Sequence, residues 1–223
     1  YQSWLNNATN TELIYQVLKV FQMKYYMKQV YQEYDFLYGD EGGVECILQQ
    51  EYMKEEDRAA FLGHFLGNDE LQLEDLIHMD IDTEDIQTLV GFCVMGGIFS
   101  EGIDLKNDSL IGAIIVGTGI PQVCLERELI KAYFDENEEN GYEYAYLFPG
   151  MNKVLQAAGR VIRTENDIGV IALLDERFRG LEYQKTFPRE WKNIKYANQE
   201  LIRETVSEFW ESKDSSNKKD CHD

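Results

Sequence analysis

The stretch Leu155 to Arg163, LQAAGRVIR, places one amide and two guanidinium groups, Gln156, Arg160 and Arg163, at offsets of four and seven residues. In a helix of about 3.6 residues per turn those offsets return to nearly the same side, so the three side chains converge on one outside point. Two fixed cations and a swivelling amide suit a chain of phosphates. Val154, Ala157, Ala158, Val161 and Ile162 supply an apolar face to seat the helix on a sheet, and Gly159 omits a side chain where a neighbour must come close. A surface helix with solvated arginines has the same pattern, so the surrounding elements have to discriminate.

Those elements alternate short β-branched runs with helical stretches, the signature of a mostly parallel sheet covered by helices. Strands are predicted at Val17 to Phe21, Glu45 to Leu48, Leu89 to Met95, Leu110 to Val116, Tyr144 to Phe148 and Val170 to Leu174. Helices are predicted at Tyr25 to Tyr34, Glu55 to Phe65, Leu125 to Phe134, Asn152 to Arg163 and Asn198 to Trp210. Residues 67–88 read as an acidic insertion, and 212–223, polar and without apolar period, as a disordered tail. One α/β domain over residues 1–211 is the expected organisation.

Charge is unevenly spread. The chain of 223 residues carries a formal charge of −20, which excludes a general polyanion binder with a broad basic face. From Glu33 to Asp85 there are 17 acids against Lys54 and Arg58 alone, whereas Tyr144 to Arg203 holds ten cations against seven acids. Contacts with phosphate are therefore expected from the arginine-bearing part. Cys46, Cys93, Cys124 and Cys221 form no CxxC pair, which points to reduced thiols in a cytoplasmic protein and to no metal centre. His64, His78 and His222 are assigned no metal. The longest apolar runs fall well short of the roughly 20 residues that span a bilayer, so no membrane contact is expected. A start at Tyr1 is read as a piece of something longer.

Two further loops follow apolar strands. GGIFSEGIDL, Gly96 to Leu105, puts Ser100, Glu101 and Asp104 after paired glycines, and GTGIPQVCLERE, Gly117 to Glu128, carries the helix-breaking Pro121. Both are expected at the carboxyl edge of the sheet, where open α/β sheets bind ligands.

SEGIDL, then AIIVGTGIPQ, then GYEYAYLFPGMNKVLQAAGRVIR, then DIGVIALLDERF, resembles in order and spacing the second motor domain of the iron–sulfur type superfamily 2 DNA helicases, the DinG and XPD group. The resemblance is strong from Val90 to Trp191 and weak toward the amino end. It implies a RecA-like domain, of the P-loop NTPase type, that closes on ATP and Mg²⁺ held mainly by the other motor domain of the same polypeptide, with single-stranded DNA as the other partner. Arg160 and Arg163 would be the arginine fingers, since phosphoryl transfer needs positioned positive charge on the equatorial oxygens. Gln156 would sense the γ phosphate, Gly102 and Asp104 would link nucleotide state to grip on DNA, and Ser100 and Glu101 would lie near the strand.

The chain departs from the family's pattern where an aromatic-proline-serine turn is usual: here the residues are Phe21, Gln22, Met23 and Lys24. It has no GxxxxGK[ST] and no Gly-Lys pair, so the loop that cradles phosphates is missing. An iron–sulfur cluster would belong to the parent's first motor half. Asp175 and Glu176 close the strand VIALL and could be mistaken for Mg²⁺ ligands; the reading preferred here makes Asp175 and Arg177 structural pins. The expected function is the carboxyl-terminal motor half of an ATP-dependent DNA helicase, inactive by itself. The rivals are a non-catalytic acidic interaction module derived from a helicase and a complete hydrolase built on Asp175 and Glu176.

Overall fold

The structure is a computed structural model that describes residues 15–38, 44–50, 52–63, 88–96, 110–164, 167–198 and 200–220. These residues fall into two compact units, and the sheet belongs wholly to the one spanning Ile14–Phe187. Five strands, β1 (Tyr15–Phe21), β2 (Val44–Leu48), β3 (Thr88–Val94), β4 (Gly112–Val116) and β5 (Val170–Leu174), pair in the order β2-β3-β1-β4-β5. Every pairing is parallel. The expected α/β RecA-like class is therefore the observed one. Among its strands β3 is buried almost throughout, which is what a parallel strand covered on both faces demands.

Helix α1 (Lys24–Tyr38) sets Met27, Val30, Tyr31 and Tyr34 at helical spacing against Phe21, Val90 and Phe92. Lys19, on the central strand, extends beneath this layer with Nζ 3.4 Å from the Tyr34 ring centroid. Burial lowers its pKa to about 8. Helix α2 (Glu55–Gly63) precedes β3, and α3 (Leu125–Glu136) follows β4.

The expected strand at Tyr144 to Phe148 is instead helical. Glu143–Leu147 forms a wide π turn that runs straight into α4 (Phe148–Ala158), with Pro149 in its first turn. Tyr142, Tyr144, Tyr146 and Phe148 alternate along the chain like a half-buried strand, but their rings meet at helical spacing. Tyr142 stacks on Tyr146 at 5.5 Å and Tyr144 meets Phe148 edge-on at 5.3 Å. Ala145, Tyr146 and Leu147 are all buried, which strict alternation could not achieve.

Glycine decides where α4 sits. A Cβ on Gly150 would stand 2.8 Å from the Thr118 carbonyl oxygen and 2.9 Å from the Ile120 nitrogen. Both neighbours are backbone and cannot swing aside. Gly119 answers from the other side, with φ +69 and 2.6 Å between its own would-be Cβ and the Gly150 carbonyl oxygen. At the far end of the helix a Cβ on Gly169 would meet Val161 Cγ1 at 2.3 Å, just before β5 pairs through Val170 N to Ile111 O. Helix α4 thus runs from the carboxyl end of β4 to the amino end of β5.

Strand β5 ends in a clasp. Arg177 donates through Nε and Nη2 to Asp175 at 2.9 and 2.7 Å, and Asp175 also accepts from the Arg177 backbone nitrogen at 3.0 Å. The carboxylate caps a short 3₁₀ turn, Glu176–Arg179, that leads to α5 (Leu181–Gln184). These bonds to Arg177 hold the Asp175 carboxyl below its ordinary pKa.

In the second unit, α6 (Leu201–Asp220) is opened by Asn198, whose side-chain oxygen accepts from Glu200 N and Leu201 N at 3.1 and 2.9 Å. The helix continues to Asp220, where the composition predicts a disordered tail from 212. Extending a helix already several turns long fixes one residue per bond gained, so even a polar stretch of modest propensity can continue it. The acidic insertion lies outside the described residues apart from Thr88, the first residue of β3. Among the described residues no helix is long and apolar enough to cross a membrane, and Cys46, Cys93 and Cys124 are free thiols.

Two predictions arise. Gly150→Ala should destabilise the chain by about 1–3 kcal/mol, because the added methyl overpacks against fixed backbone. Gly159→Ala should be near neutral, since Gly159 is exposed at φ −68 and its would-be Cβ meets only the Leu155 carbonyl oxygen at 3.2 Å and the Gln156 oxygen at 3.8 Å. Thermal unfolding of both variants checks the pair, and equal losses would refute the packing account. Asp175→Asn should flatten the acid side of the stability profile. A carboxylate with a lowered folded pKa stabilises above its unfolded value, about 3.9, and loses that contribution as pH falls through the folded one. The melting difference between wild type and variant should be steady above about pH 5 and shrink below about pH 4; a difference independent of pH would show that the clasp is not ionic.

Candidate functional site

The last α-type bond of α4 is Gly159 N to Leu155 O at 2.8 Å. Beyond it Arg160 N bonds Ala157 O at 3.2 Å and Val161 N bonds Ala158 O at 3.1 Å, three-residue closures that tighten the helix end before it stops. The helix expected to reach Arg163 therefore ends at Ala158. Gln156 occupies its last turn, Arg160 the tightened turn after it, and Arg163 a loop. The common helical side expected for the three required an α-helix that ran on to Arg163, and the α-helix stops before Arg160 and Arg163. Buried Val161, wedged on Gly169, is what turns the chain.

Arg163 is placed by a residue that the helical pattern passes over. Asp167 Oδ2 accepts from the backbone nitrogens of Arg163 and Thr164, both at 2.7 Å. These bonds, Thr164's first and Arg163's next, pull the Asp167 pKa below its ordinary value, and the Arg163 charge acts in the same sense. The signal in the sequence is a short polar turn, TENDIG, with an aspartate able to bond backbone nitrogens upstream of it. Gln156 and Arg163 are exposed and Arg160 half-buried. The close approach expected at Gly159 belongs instead to Gly150 and Gly169.

The sheet separates this loop from the Gly96 turn and the Gly117–Ile120 loop. Residues 159–169 lead into the amino end of β5, whereas the Gly96 turn and the Gly117–Ile120 loop follow the carboxyl ends of β3 and β4. At the carboxyl end, Lys153 passes Gly96, its Cε 3.6 Å from a Cβ built there. Ser100, Glu101, Gly102 and Asp104 lie outside the described residues.

The carboxyl edge is also where a sheet of this order would take a ligand. Connections leave β1 toward β2 and β4 toward β5, in opposite directions, so the crevice favoured by ligands in open α/β sheets lies between the ends of β1 and β4. Gln22 fills it. Its Nε2 donates to the Ile120 carbonyl at 2.7 Å, its backbone nitrogen bonds Val116 O at 3.1 Å, and its Oε1 lies 2.8 Å from where a Gly117 Cβ would be. Gly117, at φ +90, makes room for that side chain. Nor does Asp175 offer a metal ligand set, because both its oxygens are engaged by Arg177. Among the described residues no group of three or more acidic, His or Cys side chains could hold a metal ion.

Comparison with known proteins agrees with this architecture. The helicase C-terminal domain family matches residues 10–194. The ATP-dependent DNA helicase DinG of Photobacterium profundum is 35% identical over 91 residues, which cover 40% of this chain and 13% of that protein. The ATP-dependent DNA helicase XPD of Sulfolobus acidocaldarius is 34% identical over 99 residues, 40% of this chain and 17% of that protein. A solved apo XPD structure superposes with a TM-score of 0.50 at 22% identity, covering 82% of this chain and 32% of that one, a likeness of fold. The chain spans only a small part of the curated relatives it matches. With its all-parallel sheet and a family match over residues 10–194, the chain belongs to the helicase C-terminal domain family, as the carboxyl-terminal region of a DinG/XPD-type helicase.

Proposed function

We propose that this chain is the second motor half of an ATP-dependent DNA helicase, closing on ATP bound mainly by a first motor domain. The observation that carries the reading is the end of α4, where Gln156, Arg160 and the Asp167-clamped Arg163 follow one another in a chain whose sequence holds no GxxxxGK[ST] loop. A half without a cradle has use for cations only across a cleft. Arg160 and Arg163 would neutralise charge developing on the transferred phosphoryl group, which a single inserted arginine can speed by about 10³ to 10⁵. Gln156 would bond the γ phosphate, and Asp167 would hold Arg163 in place.

Gly102 and Asp104 would relay nucleotide state to the DNA, with Ser100 and Glu101 along a single strand. Mg²⁺ would be held by the first motor half, as would an iron–sulfur cluster in the parent. The non-catalytic module is the second reading, favoured by the net charge of −20. The hydrolase built on Asp175 has nothing in its favour, because the clasp to Arg177 engages both carboxylate oxygens.

The isolated chain should release no phosphate from ATP, and its binding to single strands should be weak and sharply salt-dependent. Turnover by purified protein that disappears in Asp175→Asn would reinstate the hydrolase. In the longer enzyme, Arg160→Ala should lower turnover by roughly 100-fold or more, about 3 kcal/mol of transition-state stabilisation, with the melting temperature and ATP binding little changed. Arg163→Ala should act alike, and Asp167→Ala should mimic it more weakly by loosening the loop. Near-normal turnover with a depressed melting point in Arg160→Ala would make the arginine a packing residue and defeat the proposal.

A further inference from the structure

Helix α3 is mounted inside out. Its inner side carries Phe134, stacked on Tyr144 at 3.8 Å between centroids, and Arg127, whose Nη1 donates to the Ala145 carbonyl at 2.7 Å. Glu128 adds a bond from the Tyr146 hydroxyl. None of its twelve residues is buried. The outer side carries Leu125, Leu129 and Tyr133, four residues apart, which are 72%, 62% and 62% exposed. Val123 and Ile130, also exposed, widen the stripe. A helix whose polar contacts face its own domain and whose apolar row faces outward is built to be covered.

Charge selects what covers it. Glu126 and Glu136 border the stripe and Glu138 lies just beyond, while the helix's two cations are engaged inward or locally, Arg127 with Ala145 and Lys131 with Asp135 at 3.4 Å. The rim is therefore acidic. A second copy of this chain would bring a net charge of −20 to it, and segment 67–88, rich in acids and free of Lys and Arg, would repel it equally. A nucleic-acid strand is excluded on the same ground. An amphipathic helix with an apolar row flanked by Lys or Arg complements both the stripe and the rim.

We propose that the Leu125–Leu129–Tyr133 face docks a basic amphipathic helix of a partner protein. This surface does not depend on the helicase reading, and its test uses neither ATP nor DNA. The full 223-residue chain is titrated, by fluorescence anisotropy, into two labelled helical peptides of roughly 18 residues. They share a leucine row; one flanks it with lysine and the other with glutamate. The lysine peptide should bind and the glutamate peptide should not. Leu129→Ser and Tyr133→Ala should each weaken binding at least about tenfold, the scale of a truncated interface anchor, with unchanged melting temperatures. Glu136→Lys should weaken it less and flatten its salt dependence. Phe36→Ser, at an exposed apolar residue on α1, should change nothing. Equal binding of both peptides, no binding of either, or equal damage from Phe36→Ser would overturn the proposal. Concentration-dependent dimers that Leu129→Ser dissolves would overturn it in favour of a second copy.

Discussion

The contact between Gly150 and the Thr118–Ile120 backbone fixes where α4 begins. With carbonyl and amide groups within 3 Å of where a side chain would begin, the start of α4 has one place to stand. Helix length then sets where the other end falls, because each residue advances about 1.5 Å along the axis. Val161 meets Gly169 at that end and β5 begins immediately after. The position of Arg160 relative to the sheet thus follows from a glycine ten residues earlier, which bears no chemistry of its own.

A second constraint sits at the carboxyl edge. Between the ends of β1 and β4, Gln22 donates its amide to the Ile120 carbonyl and its backbone nitrogen to the Val116 carbonyl, so its side chain ties the end of β1 to the loop after β4. The Asp175–Arg177 clasp removes from consideration a carboxylate that looks available in the sequence.

The π turn ties these parts to the surface. Its buried Ala145 and Tyr146 receive α3 through Arg127 and Glu128, so the polar side of α3 faces inward and its apolar row outward. Reversing the usual arrangement costs hydrophobic burial that the polar contacts replace only in part. The domain consequently has two ends of interest: an arginine-bearing loop at the amino edge and an exposed apolar stripe rimmed by acids.

The sequence by itself determined the sheet. Val20, Phe92, Ile115 and their neighbours are β-branched, aliphatic or aromatic in short runs, and burial on both faces leaves such runs few alternatives to a central parallel strand. The local pattern also singled out Gln156, Arg160 and Arg163 by residue type and spacing, which are legible without coordinates. Two things only the tertiary structure decided. The alternating aromatics from Tyr142 to Phe148 fit a strand and a helix equally well, and packing against α3 chose the helix. The end of α4 was set by Val161 packing on Gly169 and by Asp167 capturing two backbone nitrogens, contacts absent from any helical period. Periodicity reports which face a residue would take in a regular element; where the element stops depends on what the chain meets next.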